Sequence, residues 1–303
     1  MSPENPITRR VSANGLTHHV LAWVLESKEA SEKPAPVALL LHGFMDAAST
    51  FDFLAPRLVT AGYRVIAPDL RGFGDAPRAP IGSYYHFPEY VADVADIAEE
   101  LAPGQPLFVV GHSMGGTVAS LYAGTFPERV QKLAILEGMG PPDNPPEVAP
   151  DRMRRWIEDQ RKFRNEHSRA MSREEAERRL TERHGNVPRA IVASRVPHLS
   201  TPVSGSFESL TSGDRVKWKF DPLHRCVSPF PFFAAMYKAF AGRITCPVLI
   251  VGGGPDGFHT PDEDDRMSAF KNAKSAEIHG AGHMMHWTKP AELAALLLDF
   301  AKS

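Results

Sequence analysis

Leu107-Phe-Val-Val-Gly111-His112-Ser113-Met114-Gly115-Gly116, followed by the helix-compatible run 117–126, decides how the rest of the chain reads. Residues 107–110 form a continuous apolar run, as expected of a strand buried on both faces. A G-x-S-x-G pattern between such a strand and a helix implies a sharp turn. The flanking glycines remove the Cβ atoms that would clash inside it. The turn would lift the Ser113 hydroxyl above the strand end, beside the positive end of the next helix. The bare pattern also suits a small-residue turn with a structural serine; its place between strand and helix favours a nucleophile.

The same apolar run recurs at 37–42, 63–67, 132–136, 247–251 and 275–278, and 16–26 reads as an early strand or hairpin. Helical patterns fill the gaps. Residues 87–101 carry Val91, Val94, Ile97 and Leu101 at helical spacing and stop at Pro103-Gly104, and 290–300 opens with Pro290. Strands alternating with helices define an α/β class: a mostly parallel twisted sheet of about eight strands with helices on both faces.

The rhythm breaks after Gly138. A Pro-rich segment leads into a strongly charged helical stretch over about 151–183. Less regular sequence follows, with Trp218, Phe220, Phe230, Phe232, Phe233 and Tyr237. Roughly a hundred residues between two core strands is too long for a loop. The expectation is an inserted helical cap over 139–243, with 1–138 and 244–303 as the core domain. Arg154, Arg155, Arg161 and Arg164 fit a solvated helix face, and the aromatics are expected against the core.

The 303 residues carry a net charge of −2. A chain of this size exposes roughly 12,600 Å² folded against roughly 48,000 Å² unfolded, so a core forms without disulfides or metals. The charge offers no basic field for a nucleic-acid partner. Cys226 and Cys246 lie in no C-x-x-C motif and read as reduced thiols. The opening MSPENPITRRV lacks an apolar signal region and no apolar run reaches spanning length. The expectation is a cytoplasmic protein with no membrane span.

A serine hydroxyl needs a base. His279-Gly-Ala-Gly-His283-Met-Met-His286 follows the last strand, and His283 is favoured because Gly280 and Gly282 make a flexible loop before the final helix. The three histidines could suggest metal ligands, but the glycines argue against the continuous helix such a site would want, so no metal is expected. Two carboxylates sit at strand ends on the edge of Ser113: Asp256, after 247–251, is the stronger candidate for the acid that orients the imidazole, and Glu137, after 132–136, the second. The oxyanion formed on attack needs two N–H donors, expected from Met114 and from Phe44 in the loop after His42-Gly43. Gly43 lets that loop approach, and His42 reads as a brace for it. Met284 and Trp287 complete the expected substrate wall.

These segments together resemble the α/β-hydrolase superfamily: HGF at 42–44, DLRGFGD at 69–75, GHSMGG at 111–116, PVLIVGGGPD at 247–256 and GAGH at 280–283. They look like its capped, esterase-like branch, whose cap lies between the sixth and seventh strands. Dehalogenases and epoxide hydrolases of that branch place aspartate where this chain has Ser113, and its epoxide hydrolases carry proline where this chain has Met45. The resemblance puts the usual acid after the seventh strand, although the loop to Asp256 is one residue longer than common. Some capped relatives use a carboxylate after the sixth strand, the position of Glu137.

The leading expectation is a cofactor-free serine hydrolase that cleaves a small-molecule carboxylic ester through an acyl-enzyme. Phe44, Met114, Met284, Trp287 and the cap aromatics suggest an apolar pocket, which favours medium acyl chains or aromatic esters over charged substrates. A lactonase, thioesterase, carbon–carbon bond hydrolase, acyltransferase or perhydrolase would use the same residues. A ligand-binding receptor of hydrolase fold is the reading from another class; an intact Ser113 and His283 argue against it.

Overall fold

The computed structural model describes residues 5–24, 34–164, 166, 168–203 and 215–303. A hairpin opens it: β1 (Ile7–Ala13) and β2 (Leu16–Trp23) turn at Asn14 and Gly15, both at positive φ, as an Asn-Gly turn requires. The 16–26 expectation covers only the second arm, and residues 25 and 26 lie outside the described ones. Then β3 (Val37–Leu41), α1 (Ala55–Thr60), β4 (Arg64–Pro68), α2 (Phe87–Leu101), β5 (Leu107–His112), α3 (Met114–Thr125) and β6 (Val130–Leu136) alternate. The inserted segment contributes α4 (Ala149–Phe163), β7 (Met171–Ser172), α5 (Arg173–Arg183), α6 (Arg189–Leu199), β8 (Ser200–Pro202), β9 (Arg215–Trp218) and α7 (Ala234–Ala241). The chain ends with β10 (Val248–Gly252), α8 (Glu263–Ser268), β11 (Ala273–Glu277), α9 (Met285–Thr288) and α10 (Pro290–Lys302).

The main sheet has eight strands in the order β1-β2-β4-β3-β5-β6-β10-β11. Only the pairs β1/β2 and β2/β4 are antiparallel. Every residue of β3 and β5 is buried because both sheet faces are covered. Alternate side chains go to opposite sides. Leu39, Val109 and Ile135 pack with Val94, Ile97 and Val118 of α2 and α3. Leu40, Val110 and Leu136 pack with Leu58, Leu293 and Leu297 of α1 and α10. The carboxyl ends of β3, β5, β6 and β10 therefore open at one edge, where ligands bind in open parallel sheets.

The insertion is less helical than the sequence suggests. A second, three-stranded sheet, β7-β9-β8, runs through it. The charged stretch is two helices, separated where Ser172 caps α5 by accepting the Glu175 N–H at 3.1 Å; S-x-x-E is the signal for that break. The arginines Arg154, Arg155, Arg161 and Arg164 are all exposed. The aromatics divide: Tyr237 of α7 is buried and bonds Ser120 of α3 at 3.0 Å, whereas Phe230 lies on the surface. By that contact α7 packs on the core, although 139–243 was expected to be cap. Cys226 and Cys246 are unpaired and buried, and among the described residues no helix is long and apolar enough to cross a membrane.

Candidate active site

Ser113 joins β5 to α3 at φ +52° and ψ −120°, a backbone region that non-glycine residues rarely adopt. Its N–H donates to Leu136 O at 2.9 Å, and its carbonyl accepts from Gly116 N–H at 2.9 Å. The helix can start this close to the sheet because Gly115 has no side chain: a Cβ there would stand 2.2 Å from Leu41 O. The sharp turn is thus held by backbone bonds and by missing atoms.

Ser113 Oγ lies 3.1 Å from His283 Nε2, and His283 Nδ1 lies 2.7 Å from Glu137 Oε2. An ionised carboxylate only accepts, so Nδ1 carries the proton and Nε2 is left to accept from the serine hydroxyl. Glu137 follows β6 at φ +48°. Burial raises its carboxyl pKa, but the bonds from His283, the Phe258 N–H (2.8 Å) and the Gly253 N–H (2.5 Å) outweigh that and hold it below the usual range. The loop after β10 thereby wraps the carboxylate. A Cβ on Gly257 would stand 1.9 Å from Glu137 Oε1 and one on Gly253 2.9 Å from it, which explains those two glycines of the Gly252-Gly-Gly-Pro-Asp-Gly257 run.

Asp256, the stronger expectation for the acid, is instead exposed at the mouth of the cleft and makes no bond to His283. Its loop supplies N–H groups to Glu137 and turns its own side chain to solvent.

The loop after β3 crosses directly over the serine: a Cβ on Gly43 would lie 3.1 Å from Ser113 Cβ. The Phe44 N–H donates to no backbone carbonyl among the described residues, and the Met114 N–H is the first of α3. His42 is fully buried, so it lines nothing. Its Nδ1–H donates to Gly43 O at 2.8 Å, and its Nε2 accepts the Leu70 N–H at 2.9 Å, which fixes the loop. Trp287 is also misplaced by the sequence reading. It is buried with Leu180, Val192 and Val196 of the insertion, behind the cleft, while Met284 does reach the wall. His279 is exposed and pairs with Glu277, so the three histidines of 279–286 do not converge on a metal.

Behind the serine, buried His112 donates from Nε2 to the His283 carbonyl at 2.8 Å. Burial, and then His286 and His283, push the His112 pKa well down, so it is neutral. His286 donates to Asp46 Oδ2 at 3.1 Å, and Asp46 Oδ1 accepts from Ala47 N–H and Thr50. Asp46, His112 and His286 bring ligand-type atoms within 4.8 Å of one another. Both Asp46 oxygens are already engaged by protein donors, whereas His112 Nδ1 and His286 Nδ1 are buried without a hydrogen-bond partner among the described residues.

The cleft over Ser113 has a volume of about 400 Å³. Its far wall comes from the insertion: Arg183, His184, Asn186 and Val187, none of which the sequence reading singled out. Phe258 closes one side, 5.8 Å from the His283 ring.

Comparison with known proteins places this geometry in a family. A family model described as alpha/beta hydrolase fold matches residues 36–290. A serine hydrolase-like protein of Dictyostelium discoideum is 28% identical over 309 residues, covering 90% of this chain and 76% of that protein. Epoxide hydrolase 2 of Siraitia grosvenorii is 36% identical over 126 residues, and this chain spans only 37% of its length and is itself covered over 42%. Among solved structures, a thioesterase domain from the curacin biosynthetic pathway superposes with a TM-score of 0.81 at 22% identity, over 97% of this chain and 99% of that domain, a likeness of fold. The chain belongs to the alpha/beta hydrolase fold family.

Proposed function

We propose that the chain is a serine hydrolase that cleaves a carboxylic ester through an acyl-enzyme, with the inserted segment as its cap. One observation carries the reading: Ser113 Oγ, His283 and Glu137 stand in hydrogen-bonded sequence at 3.1 and 2.7 Å. His283 Nε2 takes the hydroxyl proton as Oγ attacks the ester carbonyl, and Glu137 stabilises the imidazolium. The Phe44 and Met114 N–H groups receive the negative oxygen of the tetrahedral intermediate. Collapse expels the alcohol, which takes the proton from His283. Water, deprotonated by the same imidazole, then attacks the acyl-serine and releases the acid.

The relatives named epoxide hydrolases do not redirect the reading. A carboxylate can open an epoxide without losing a proton first, whereas a serine hydroxyl requires the base that His283 supplies here.

Intact-mass measurement after a fluorophosphonate probe tests the proposal. A single adduct is expected on the wild type and none on Ser113→Ala. A folded wild-type protein that takes no adduct refutes an activated serine and brings the ligand-binding receptor forward.

A further inference from the structure

Beside the cleft over Ser113 lies a second, smaller cavity of about 130 Å³, and the two share Asp46 and Arg183 on their walls. Arg183 closes α5 and reaches from the insertion toward the oxyanion loop. Its guanidinium stands 5.8 Å from the Phe44 ring centroid, and Nη1 points at Met45 Sδ. The cations around the smaller cavity differ in one respect. Arg179 is held by Glu175 at 2.6 Å and Lys219 by Asp75 at 2.7 Å. Arg183 has no carboxylate within 4 Å among the described residues. The nearest acidic groups on these walls do not serve it. Asp46 gives its oxygens to His286, Ala47 N–H and Thr50, and Asp256 sits at the mouth.

Arg183 is exposed at the cleft, with its guanidinium beside the Met45 thioether and the Phe44 ring, so its donors face the cleft with no anion on them among the described residues. Its fork of N–H donors suits a carboxylate better than any neutral group. We infer that Arg183 is an anion subsite and that the substrate is an ester carrying a second, negatively charged carboxylate remote from the scissile bond. This rests on the ester-hydrolase reading and deepens it. The reacting carbonyl lies at Ser113 and the charged end at Arg183, with the intervening chain along Phe44 and Met45. It also reverses the expectation drawn from the apolar side chains of the pocket, which favoured uncharged esters. The apolar side chains line the path, and Arg183, the cation on these walls without a carboxylate partner among the described residues, marks its end.

The test compares two p-nitrophenyl esters of equal chain length, the hexanoate and the hemiadipate, which differ by one terminal carboxylate. For the wild type, kcat/KM favours the hemiadipate. In Arg183→Gln the ratio of the two values falls at least about 10-fold, equivalent to about 1.4 kcal/mol, mainly through KM. Arg183→Lys, which keeps the charge and loses the fork, retains part of the preference. An unchanged ratio in Arg183→Gln overturns the inference while leaving ester hydrolysis in place. The ester reading fails separately, by absence of a fluorophosphonate adduct. Calorimetry on Ser113→Ala protein then still decides the subsite. Monomethyl adipate bound more tightly than methyl hexanoate, with the difference abolished when Arg183→Gln is added, supports it. Equal binding of the two compounds refutes it.

Discussion

The two walls of the cleft are held by different physics. On the sheet side, position comes from the backbone: Ser113 and Glu137 sit at positive φ, Gly43 and Gly115 leave room no Cβ could share, and two loop N–H groups clamp the acid. On the side of α5 and α6, position comes from side chains: Leu180, Val192 and Val196 pack on Trp287, buried Arg195 pairs with Asp52 at 2.6 Å, and only the outer face carries exposed ion pairs such as Arg178–Glu175, Arg179–Glu175 and Arg189–Glu177. Backbone placement is rigid to within tenths of an ångström and tolerates almost no substitution. Surface pairs are individually weak and replaceable. The chemistry is built into the first wall, and the choice of substrate can drift on the second.

The sharpest challenge to that contrast is the acid. Glu137→Gln should lower kcat by about 10³- to 10⁴-fold, because the amide can no longer stabilise an imidazolium in the right tautomer. Asp256→Asn should change it by no more than about threefold. Steady-state kinetics on both variants decides the matter, and comparable losses would mean that the exposed carboxylate takes part. Next is Gly115→Ala, whose methyl meets Leu41 O at 2.2 Å. It should destabilise the protein by about 3 kcal/mol, read from urea unfolding, and a wild-type midpoint would show that the elbow yields.

Acid comes third. Burial, together with Arg183, pushes His184 down to about 4, and burial pushes His224 down to about 3. Both are kept neutral in the fold, so below pH 6.5 the unfolded chain binds protons that the folded chain refuses. Stability should fall by about 1.4 kcal/mol per pH unit for each of them as pH drops from about 6.5 toward 4. Glu137 and Asp46, whose carboxyls are held low, add a loss of the same sign further down, as pH falls through their folded pKa values. Calorimetric melting from pH 8 to 4 would expose a flat profile if these histidines reach water. The smallest effect belongs to the outer wall: Arg178→Gln, on exposed α5, should move the melting temperature by no more than about 1 °C. A larger shift would mean that its pairs hold the helix in place.

The proposed nucleophile was legible because its determinants lie within six residues, Gly111 to Gly116, and the proposed base because His283 stands in a glycine loop ahead of the last helix. Glu137 and Asp256 could not be ranked that way. Both end a strand on the same edge, and only the fold of 252–258 over Glu137 separates them. The glycines at 253 and 257 carry that information, in a contact far along the chain. The first strand was missed although Asn14-Gly15 marks its hairpin. The insertion was hardest to read because its charged residues suit any solvated helix, and Arg183 stands out only by having no carboxylate partner among the described residues.

Glu137 closes the strand immediately before the insertion. His283 is 146 residues from it and 170 from Ser113. The proposed nucleophile, oxyanion loop and acid therefore lie on one uninterrupted stretch, and a single later histidine completes the proposed set. For anyone recombining such enzymes, the part of the insertion between Gly138 and α7 can change without parting Glu137 from Ser113. Its two ends belong with the core: a Cβ on Gly138 would stand 2.4 Å from Ser113 O, and Tyr237 of α7 is bonded to Ser120, so a graft has to keep both.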